Sequence, residues 1–159
     1  MVVKTGSGLR ILQLVGSAAD DFYCNLSVLY ARDCMAALEN PAKYTFLTAY
    51  VTPDGQWRFP ASLAPSEIAA APPMSLSAAI AQLSALSIDI ALPQMFCIPG
   101  MTDYRALLSL LKIPFIGNLP AQMAIAADKA KAKAIVAAAG VNVPKGELLR
   151  AGEQPTISP

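Results

Sequence analysis

The sequence predicts an α/β protein with one packed core and a mostly parallel sheet. Short apolar or β-branched runs alternate along the chain with longer segments of helical periodicity, which is the pattern of right-handed βαβ units. Of the 159 residues, 55% are hydrophobic and 14% are charged. This composition excludes an intrinsically disordered chain and is sufficient to bury a single core.

The first predicted elements are a leader, a strand and a helix. Residues 1–8 end in small, polar side chains, which predicts a flexible leader. Residues 9–15 form an apolar run that is typical of a buried parallel strand. Residues 22–30 place apolar side chains on one helical face, and this helix is expected to stop before Pro41.

The middle of the chain predicts a second strand followed by a long loop. Residues 44–52 are rich in β-branched and aromatic side chains and precede a Pro-Asp-Gly turn. Residues 57–73 contain four prolines and are predicted to be a loop, with Tyr50, Trp57 and Phe59 packing in the core. The other predicted elements are a helix capped by Ser75 or Ser77, a strand over 88–92, a loop over 94–100, a helix over 103–111, a strand over 114–117, a helix over 127–140 and a strand over 143–149.

Composition excludes several functions. A net charge of +1 provides no excess of cations for a nucleic-acid backbone. The longest charge-free run, 68–88, contains two prolines and several polar residues, so no membrane span is predicted. Three widely spaced cysteines, Cys24, Cys34 and Cys97, favour reduced thiols and a cytoplasmic protein.

The absence of histidine excludes Ser-His and Cys-His nucleophiles within this chain and removes the commonest zinc ligand. No G-x-G-x-x-G sequence follows the first strand, and no G-x-x-x-x-G-K-[ST] sequence occurs. Dinucleotide and P-loop sites are therefore excluded, and no metal ligands are predicted in this chain.

Ligands in parallel sheets bind beyond the carboxyl ends of strands, which makes the loop after the first strand a candidate site. Ser17, Asp20 and Asp21 lie there and could bind a substrate ammonium or hydroxyl group. The alternative is that Asp20 or Asp21 only caps the following helix. The sequence favours neither interpretation.

A second candidate loop precedes the helix over 103–111. Gly100 and Met101 are predicted to contact substrate there, since glycine allows close backbone approach. Tyr104 and Arg105 could recognise a carboxylate, for which the guanidinium is suited to bidentate binding. Alternatively, Arg105 pairs with Asp103 or with solvent.

The alanine-rich segment 127–140 predicts a helix with Asp128 as N-cap and Gly140 at its C-terminus. Lys129 then lies in the first turn, where a cation costs ~0.3–1 kcal/mol against the helix dipole unless an anion lies in front of it. A nucleotide phosphate would supply that anion, and Lys133 shares the same face. The alternative is a solvated lysine-rich face.

Three linked motifs resemble those of D-alanine:D-alanine ligases. Residues 113–117 read I-P-F-I-G, Asp128-Lys129 is followed by Lys133, and residues 138–144 read A-A-G-V-N-V-P. The family shows L-P-Y-x-G, M-D-K-x-x-x-K and A-A-G-I-P-V-P in the same order and at similar spacing. The resemblance implies an ATP-grasp ligase in which Lys129 contacts ATP phosphates.

The same resemblance implies a domain organisation. Residues 9–118 would form a Rossmann-like pre-ATP-grasp domain, and residues 119–159 would hold linker helices and the first strand of a truncated ATP-grasp domain. The ligands of Mg²⁺, the adenine site and a second nucleotide lysine would lie in the remaining ATP-grasp domains of the same protein. This chain alone would therefore be inactive.

Two loops depart from the D-alanine ligase pattern. Residues 93–102 lack the H-G-x-x-G-E-D-G sequence, and residues 15–21 lack G-G-x-S-x-E. Over 14–24, 50–60 and 93–105 the chain instead resembles the ligases of mycosporine-like amino acid biosynthesis. That resemblance implies joining of serine or threonine to mycosporine-glycine through a phosphorylated intermediate, with a possible homodimer.

Two alternatives stay open. One is a dipeptide-forming ligase like D-alanine:D-alanine ligase, and the other is a non-catalytic α/β binding module. An exposed apolar face that causes self-association is expected of a ligase segment, whereas a soluble monomer is expected of a freestanding module.

Overall fold

A computed structural model describes residues 8–154 and 156 of the chain. In chain order, its elements are β1 (Leu9–Gly16), α1 (Asp21–Ala37), β2 (Tyr44–Val51), β3 (Trp57–Arg58), α2 (Pro65–Ala70), α3 (Leu76–Ala85), β4 (Ile90–Pro93), α4 (Ile98–Met101), α5 (Asp103–Leu110), α6 (Pro120–Ala127) and α7 (Lys129–Ala138). The leader predicted over residues 1–8 lies outside the described residues except for Gly8.

The sheet has four strands in the order β3-β2-β1-β4. The central strand β1 is parallel to both β2 and β4, while the two-residue strand β3 is antiparallel to β2. Helix α1 connects β1 to the parallel strand β2, as expected for a βαβ unit. The predicted α/β class with a mostly parallel sheet is confirmed.

From Ile11 onward both faces of β1 are buried, which explains why its sequence is mostly apolar, with Arg10 and Gln13 as the polar exceptions. On one face, Leu12 and Leu14 belong to the main core together with Trp57, Leu83 and Leu108. On the other face, Val15 packs with Ala31 of α1 and with Leu63. The predicted packing roles of Trp57, Phe59 and Tyr50 are confirmed, since all three contact these clusters.

Helix boundaries follow the capping residues that the sequence offers. Asp20 caps α1 by accepting a hydrogen bond from Tyr23 N at 2.9 Å, and Ser75, rather than Ser77, caps α3. Asp128 caps α7 by accepting from the backbone N–H groups of Ala130 and Lys131. Gly140 follows the end of α7 with φ +81°, a conformation that glycine adopts at little cost.

Several predicted boundaries are wrong. The loop predicted over 57–73 contains β3 and α2, because Trp57 pairs with both Val51 and Met74, and Pro65 occupies the first position of a helix, where its missing N–H costs nothing. The loop predicted over 94–100 already contains the start of α4, with Pro99 in its first turn. The strand predicted over 88–92 is β4, which lies at Ile90–Pro93.

Two predicted strands are not formed. Residues 114–117 make only an isolated bridge between Phe115 and Ala91, because the turn at Gly117 leads directly into α6. Residues 143–149 have no strand pairing in the described part of the chain. Their β propensity does not produce a strand because no neighbouring strand is there to pair with. The helix predicted over 127–140 with Asp128 as its N-cap is α7, which begins at Lys129 as that cap requires.

Candidate functional site

The loops at the carboxyl ends of β1 and β4 are joined by one buried hydroxyl group. Ser27 of α1 accepts a hydrogen bond from Gly16 N at 2.8 Å and donates one to the Gln94 carbonyl at 2.7 Å. Gln94 N also donates to the Leu14 carbonyl at 2.8 Å. Ser27 is fully buried, so both backbone groups depend on it in place of water. The two predicted substrate loops therefore lie side by side.

The first loop is organised by Ser17 and Asp20. Ser17 is buried, and its Oγ accepts hydrogen bonds from Ala19 N at 2.9 Å and Asp20 N at 3.4 Å. Asp20 caps α1, so for this residue the capping alternative holds. Asp21 lies in the first turn of α1 with an exposed side chain that forms no ion pair within residues 8–154 and 156.

In the second loop, Gly100 approaches other parts of the chain closely. It is buried in α4, and a Cβ placed on it would lie 2.3 Å from the Cβ of Met95. Any larger side chain would therefore displace Met95 from the core. Met101 ends α4 and is half-buried.

Arg105 contacts the turn that leads to α6. Its side chain is 9% exposed, its Nη1 donates to the Asn118 carbonyl at 2.9 Å, and its guanidinium lies 5.9 Å from the centre of the Phe115 ring. Burial lowers the pKa of this guanidinium below its usual value. The alternative in which Arg105 pairs with Asp103 or solvent is wrong, because the tight turn at Gly117 brings a backbone carbonyl to the guanidinium instead.

Tyr104 packs against the buried ring of Trp57. Its ring centre lies 5.5 Å from that of Trp57, at an interplanar angle of 33°. The ring borders a cavity of about 320 Å³ that is also lined by Leu76, Asp103 and Leu107. Burial raises the pKa of the half-buried Tyr104 hydroxyl above its ordinary value.

A thiol lies beneath the first loop. The Cys24 Sγ lies 3.7 Å from the Ser17 carbonyl and 3.8 Å from the Val51 carbonyl. Burial raises the pKa of this thiol and, together with a hydrogen bond to Cys24, also raises that of the Tyr50 hydroxyl. Cys24, Cys34 and Cys97 are free thiols, as the sequence predicts.

The predicted phosphate-contacting lysine lies at the start of α7. Lys129 and Lys133 border a cavity of about 380 Å³ together with Gly146, Glu147 and Leu148. The side chain of Lys131 points elsewhere and pairs with Asp128 at 3.0 Å. In the described part of the chain, neither Lys129 nor Lys133 has a carboxylate within ion-pair distance.

Neither metal binding nor a membrane span is indicated by the described residues. Within them, no three side chains among histidine, cysteine, aspartate and glutamate are grouped so as to hold a metal ion. Of the helices found there, none combines the length and the hydropathy that crossing a bilayer requires.

Comparison with solved structures identifies the architecture. D-alanine–D-alanine ligase from Coxiella burnetii matches with a TM-score of 0.67 and 18% identity, over 87% of this chain and 43% of that one. The VanG D-Ala:D-Ser ligase from Enterococcus faecalis gives a TM-score of 0.67 and 18% identity, over 87% of this chain and 44% of that one. The chain has the fold of the N-terminal part of D-alanine–D-alanine ligases.

Sequence comparison gives one shorter match to this ligase type. A D-alanine–D-alanine ligase from Azorhizobium caulinodans is 38% identical over 72 residues, which are 45% of this chain and 24% of that protein. No family model matches the chain. The chain thus spans about a quarter of this curated relative and under half of the two solved ligases.

Ser27 and Cys24 contact the candidate-site loops, and sequence reasoning missed both. Both lie on the buried face of α1, directly beneath the loop of Ser17. The available signal was a serine at a core position of an amphipathic helix, since a buried hydroxyl needs a hydrogen-bond partner. Its partners, Gly16 and Gln94, become visible only in three dimensions.

Proposed function

We propose that this chain is the N-terminal part of an ATP-dependent ligase of the D-alanine–D-alanine ligase type, and that Lys129 contacts the phosphates of ATP. The proposal is supported by a difference between the lysines of α7. Lys131 is neutralised by Asp128, whereas Lys129 and Lys133 border one cavity without a paired carboxylate in the described residues. Two cations against the single carboxylate of Glu147, which also borders this cavity, leave an excess of positive charge that favours an anionic ligand.

The position of Lys129 also suits phosphate binding through the helix itself. The first turn of α7 carries the positive end of the helix dipole, which repels the ammonium of Lys129 and attracts an anion. Asp128 already accepts from the N–H groups of Ala130 and Lys131, so a phosphate would interact with the dipole and with Lys129 and not with these two N–H groups. A phosphate in the cavity would be stabilised by both groups and would relieve their mutual repulsion. Lys133, one turn further along, adds a second positive charge.

We further propose that the ligase joins serine or threonine to mycosporine-glycine. Magnesium-bound ATP would supply the phosphoryl group that converts a poor leaving oxygen of the acceptor into phosphate. The proposal is supported by the loops over 15–21 and 93–102, which depart from the D-alanine ligase pattern. Magnesium ligands and further nucleotide contacts would come from the remaining ATP-grasp domains, in a cytoplasmic enzyme that could be a homodimer.

The substrate contacts belong to the two adjacent loops. Asp21 and Tyr104 keep part of their side chains accessible and are proposed to contact substrate directly. Ser17, Asp20, Gly100, Met101 and Arg105 are proposed to define the shape of the pocket, because their polar or backbone groups contact the chain itself or lie in the packed α4 turn.

Lys129→Ala tests the nucleotide contact in a polypeptide that carries this chain at full ligase length. We expect ATP turnover or ATP affinity to fall tenfold or more, which is ~1.4 kcal/mol. Lys131→Ala is the matched control, because it removes the same charge from the same helix but from the ion pair with Asp128. Equal effects of the two substitutions would refute a specific role for Lys129.

The substrate is tested by phosphate release in the presence of ATP. Mycosporine-glycine with serine or threonine should stimulate release, and neither compound alone should do so. The dipeptide-forming alternative, which the match to the Azorhizobium caulinodans ligase favours, predicts release with D-alanine alone. Stimulation by D-alanine alone would replace the mycosporine-glycine proposal and leave the ATP proposal in place.

A further inference from the structure

A third cavity lies on the side of the sheet opposite β4. It has a volume of about 560 Å³ and is bordered by α1, the carboxyl end of β2 and the α2 segment. Because the sheet order is β3-β2-β1-β4, this cavity lies beside β2 and away from the loop that follows β4. Of the predicted substrate-binding residues, only Asp21 borders it. Its volume is within the ~300–1,000 Å³ typical of small-molecule sites.

Two arginines hold the outer wall of this cavity in place. Arg58 Nη1 donates to the carbonyls of Ile68, Ala69 and Ala71 at 3.4, 3.1 and 2.5 Å. Arg32 Nη2 donates to the Leu63 carbonyl. Each guanidinium has five N–H groups, so these bonds leave donors on both side chains. Four nitrogen atoms of these side chains donate to no acceptor within residues 8–154 and 156, namely Nη2 and Nε of Arg58 and Nη1 and Nε of Arg32.

The cavity also has an apolar side. Val28, Leu29, Leu63 and Ile68 line this side, and of these Val28 and Ile68 pack with Leu63 in the small core beneath α1, whereas Leu29 is exposed. Leu63 is 4% exposed, so this side is continuous with the small core beneath α1. A ligand with an apolar body would be favoured here, because binding removes its apolar surface from water.

The charges that border the cavity favour an anionic ligand. Arg32 and Arg58 contribute two positive charges and Asp21 one negative charge, and none of the three forms an ion pair in the part of the chain that the structure describes. Asp21 already interacts favourably with the N-terminal end of α1, because its negative charge complements the positive end of the helix dipole. The net excess is one positive charge, held on groups that bind carboxylates with two parallel hydrogen bonds.

We propose that this cavity binds a small organic carboxylate with an apolar body. The free N–H groups of Arg58 and Arg32 bind the carboxylate, and the surface formed by Val28, Leu29, Leu63 and Ile68 packs against the apolar body. The site goes beyond the proposed ligase function, because it requires neither ATP nor Lys129. An organic acid and an α-amino acid share this chemistry, and Asp21 is placed to distinguish them by binding the α-ammonium group of the latter.

The test is an NMR titration of the ¹⁵N-labelled 159-residue chain, without nucleotide, using 4-methylpentanoate and its neutral amide, 4-methylpentanamide. The acid should shift the amide signals of residues on α1 and α2 that border the cavity, and the neutral amide should bind at least about tenfold more weakly, since a charge-assisted hydrogen bond is lost. Equal binding of the acid and the amide, or no shifts with the acid, would overturn the proposal.

Substitutions locate the carboxylate. Arg58→Gln and Arg32→Gln should each weaken 4-methylpentanoate binding by about tenfold. Lys43→Gln is the charge-matched control, because Lys43 precedes β2 at the opposite end of the sheet. Arg58→Gln also removes bonds to α2, so Arg32→Gln, which loses a single backbone bond, provides the independent measurement. Unchanged affinity in both arginine variants would place the ligand elsewhere and overturn the proposal.

Leucine and 3-methylbutylamine distinguish the two sources of the carboxylate. If an amino acid is the ligand, leucine binds more tightly than 4-methylpentanoate, and Asp21→Asn abolishes that advantage. If a simple organic acid is the ligand, leucine binds no better than 4-methylpentanoate. Binding of 3-methylbutylamine as tight as that of the acid would overturn the proposal, because this amine has no carboxylate. Failure here leaves the Lys129 experiment unaffected.

Discussion

Ser27 shows how one side chain positions two loops. Its hydroxyl satisfies a backbone N–H of the first loop and a backbone carbonyl of the second, and it is inaccessible to water. Removing the hydroxyl leaves two buried polar groups unpaired, each of which costs ~1–3 kcal/mol.

We therefore predict that Ser27→Ala lowers the free energy of unfolding by about 2–4 kcal/mol, as measured by urea denaturation. Ser84→Ala is the control, because the Ser84 hydroxyl donates to the Ile80 carbonyl on an exposed helical turn. Equal losses in the two variants would show that the bonds of Ser27 add no stability beyond that of a surface hydroxyl group.

Gly16 is a second residue on which the first loop depends. Its φ is +103°, and a Cβ placed on it would lie 2.0 Å from the Val51 carbonyl oxygen, a backbone atom that cannot rotate away. Gly16→Ala should cost at least ~3 kcal/mol of unfolding free energy, because β1 and β2 must separate to admit the methyl group.

The control for this prediction is Gly55→Ala. Gly55 also has a positive φ, +77°, but no atom lies within 4 Å of the position of its Cβ. That variant should show only the backbone conformational cost of ~1–2 kcal/mol. Thermal or urea unfolding that ranks Gly55→Ala as the more damaging change would contradict the argument.

At the residue scale, the sequence predicts chemical type better than it predicts contacts. Asp128 caps α7 as predicted, and Asp20 caps α1, which was one of its two predicted roles, because a cap is a contact within four residues of the chain. The contact of Arg105 with the Asn118 carbonyl depends on a turn 13 residues away. Nothing in the local sequence indicates which distant carbonyl a buried guanidinium will meet.

At the scale of the element, α7 should respond to acid through its cap. The pKa of Asp128 lies below its ordinary value of 3.8, first because Lys131 donates a side-chain hydrogen bond and then because backbone N–H groups do. The ionised carboxylate therefore stabilises the helix above the unfolded-state pKa, and this stabilisation is lost as the pH falls through the lower folded-state pKa.

We predict that the ¹³Cα chemical shifts of Lys129–Ala138 move from helical toward random-coil values as the pH is lowered below 3.8. Asp128→Asn keeps an oxygen acceptor at the cap but cannot titrate, so its helix should show a flat pH profile. The same acid transition in both proteins would assign the effect to another group.

Long periodic elements were predictable, and short ones were not. The 17 residues of α1 and the eight of β2 each carry a repeated pattern that ends at a capping or turn residue. The two residues of β3 carry no pattern, and their pairing with Val51 and Met74 arises from packing. Residues 143–149 show the reverse case, since strand propensity without a neighbouring strand gives no strand.

At the scale of the whole molecule, apolar side chains are exposed along α6, α7 and the segment that follows. Ile125, Ile135, Val136 and Val141 are between 39% and 57% exposed. An apolar surface of this kind favours association. We predict that the chain self-associates as its concentration rises, as measured by size-exclusion chromatography with light scattering.

Replacing one of these side chains should weaken that association. Ile135→Gln is expected to shift the association constant by up to about tenfold, the equivalent of ~1.4 kcal/mol of lost apolar burial. Leu76→Gln, at an equally exposed position on α3, should leave it unchanged. A monomer at all concentrations would instead favour the freestanding binding module.

The overall architecture was predictable because it depends on the alternation of strands and helices over the whole chain. The adjacency of the two loops also follows from the topology, since parallel strands end at one edge of the sheet. The cavity beside β2 could not be predicted, because its outer wall is the short helix α2, which lies inside a segment that resembles a loop.

Helix α7 contains no buried residue, although it carries the lysine proposed to contact ATP. Its amide protons should therefore exchange with solvent through local opening, at a lower free energy than those of β1 in the core. A ligand that binds the first turn of α7 would suppress the local opening of this helix without altering the sheet. Part of the binding free energy would then offset the cost of ordering the helix. Slower amide exchange, confined to α7, would show that the ligand is bound.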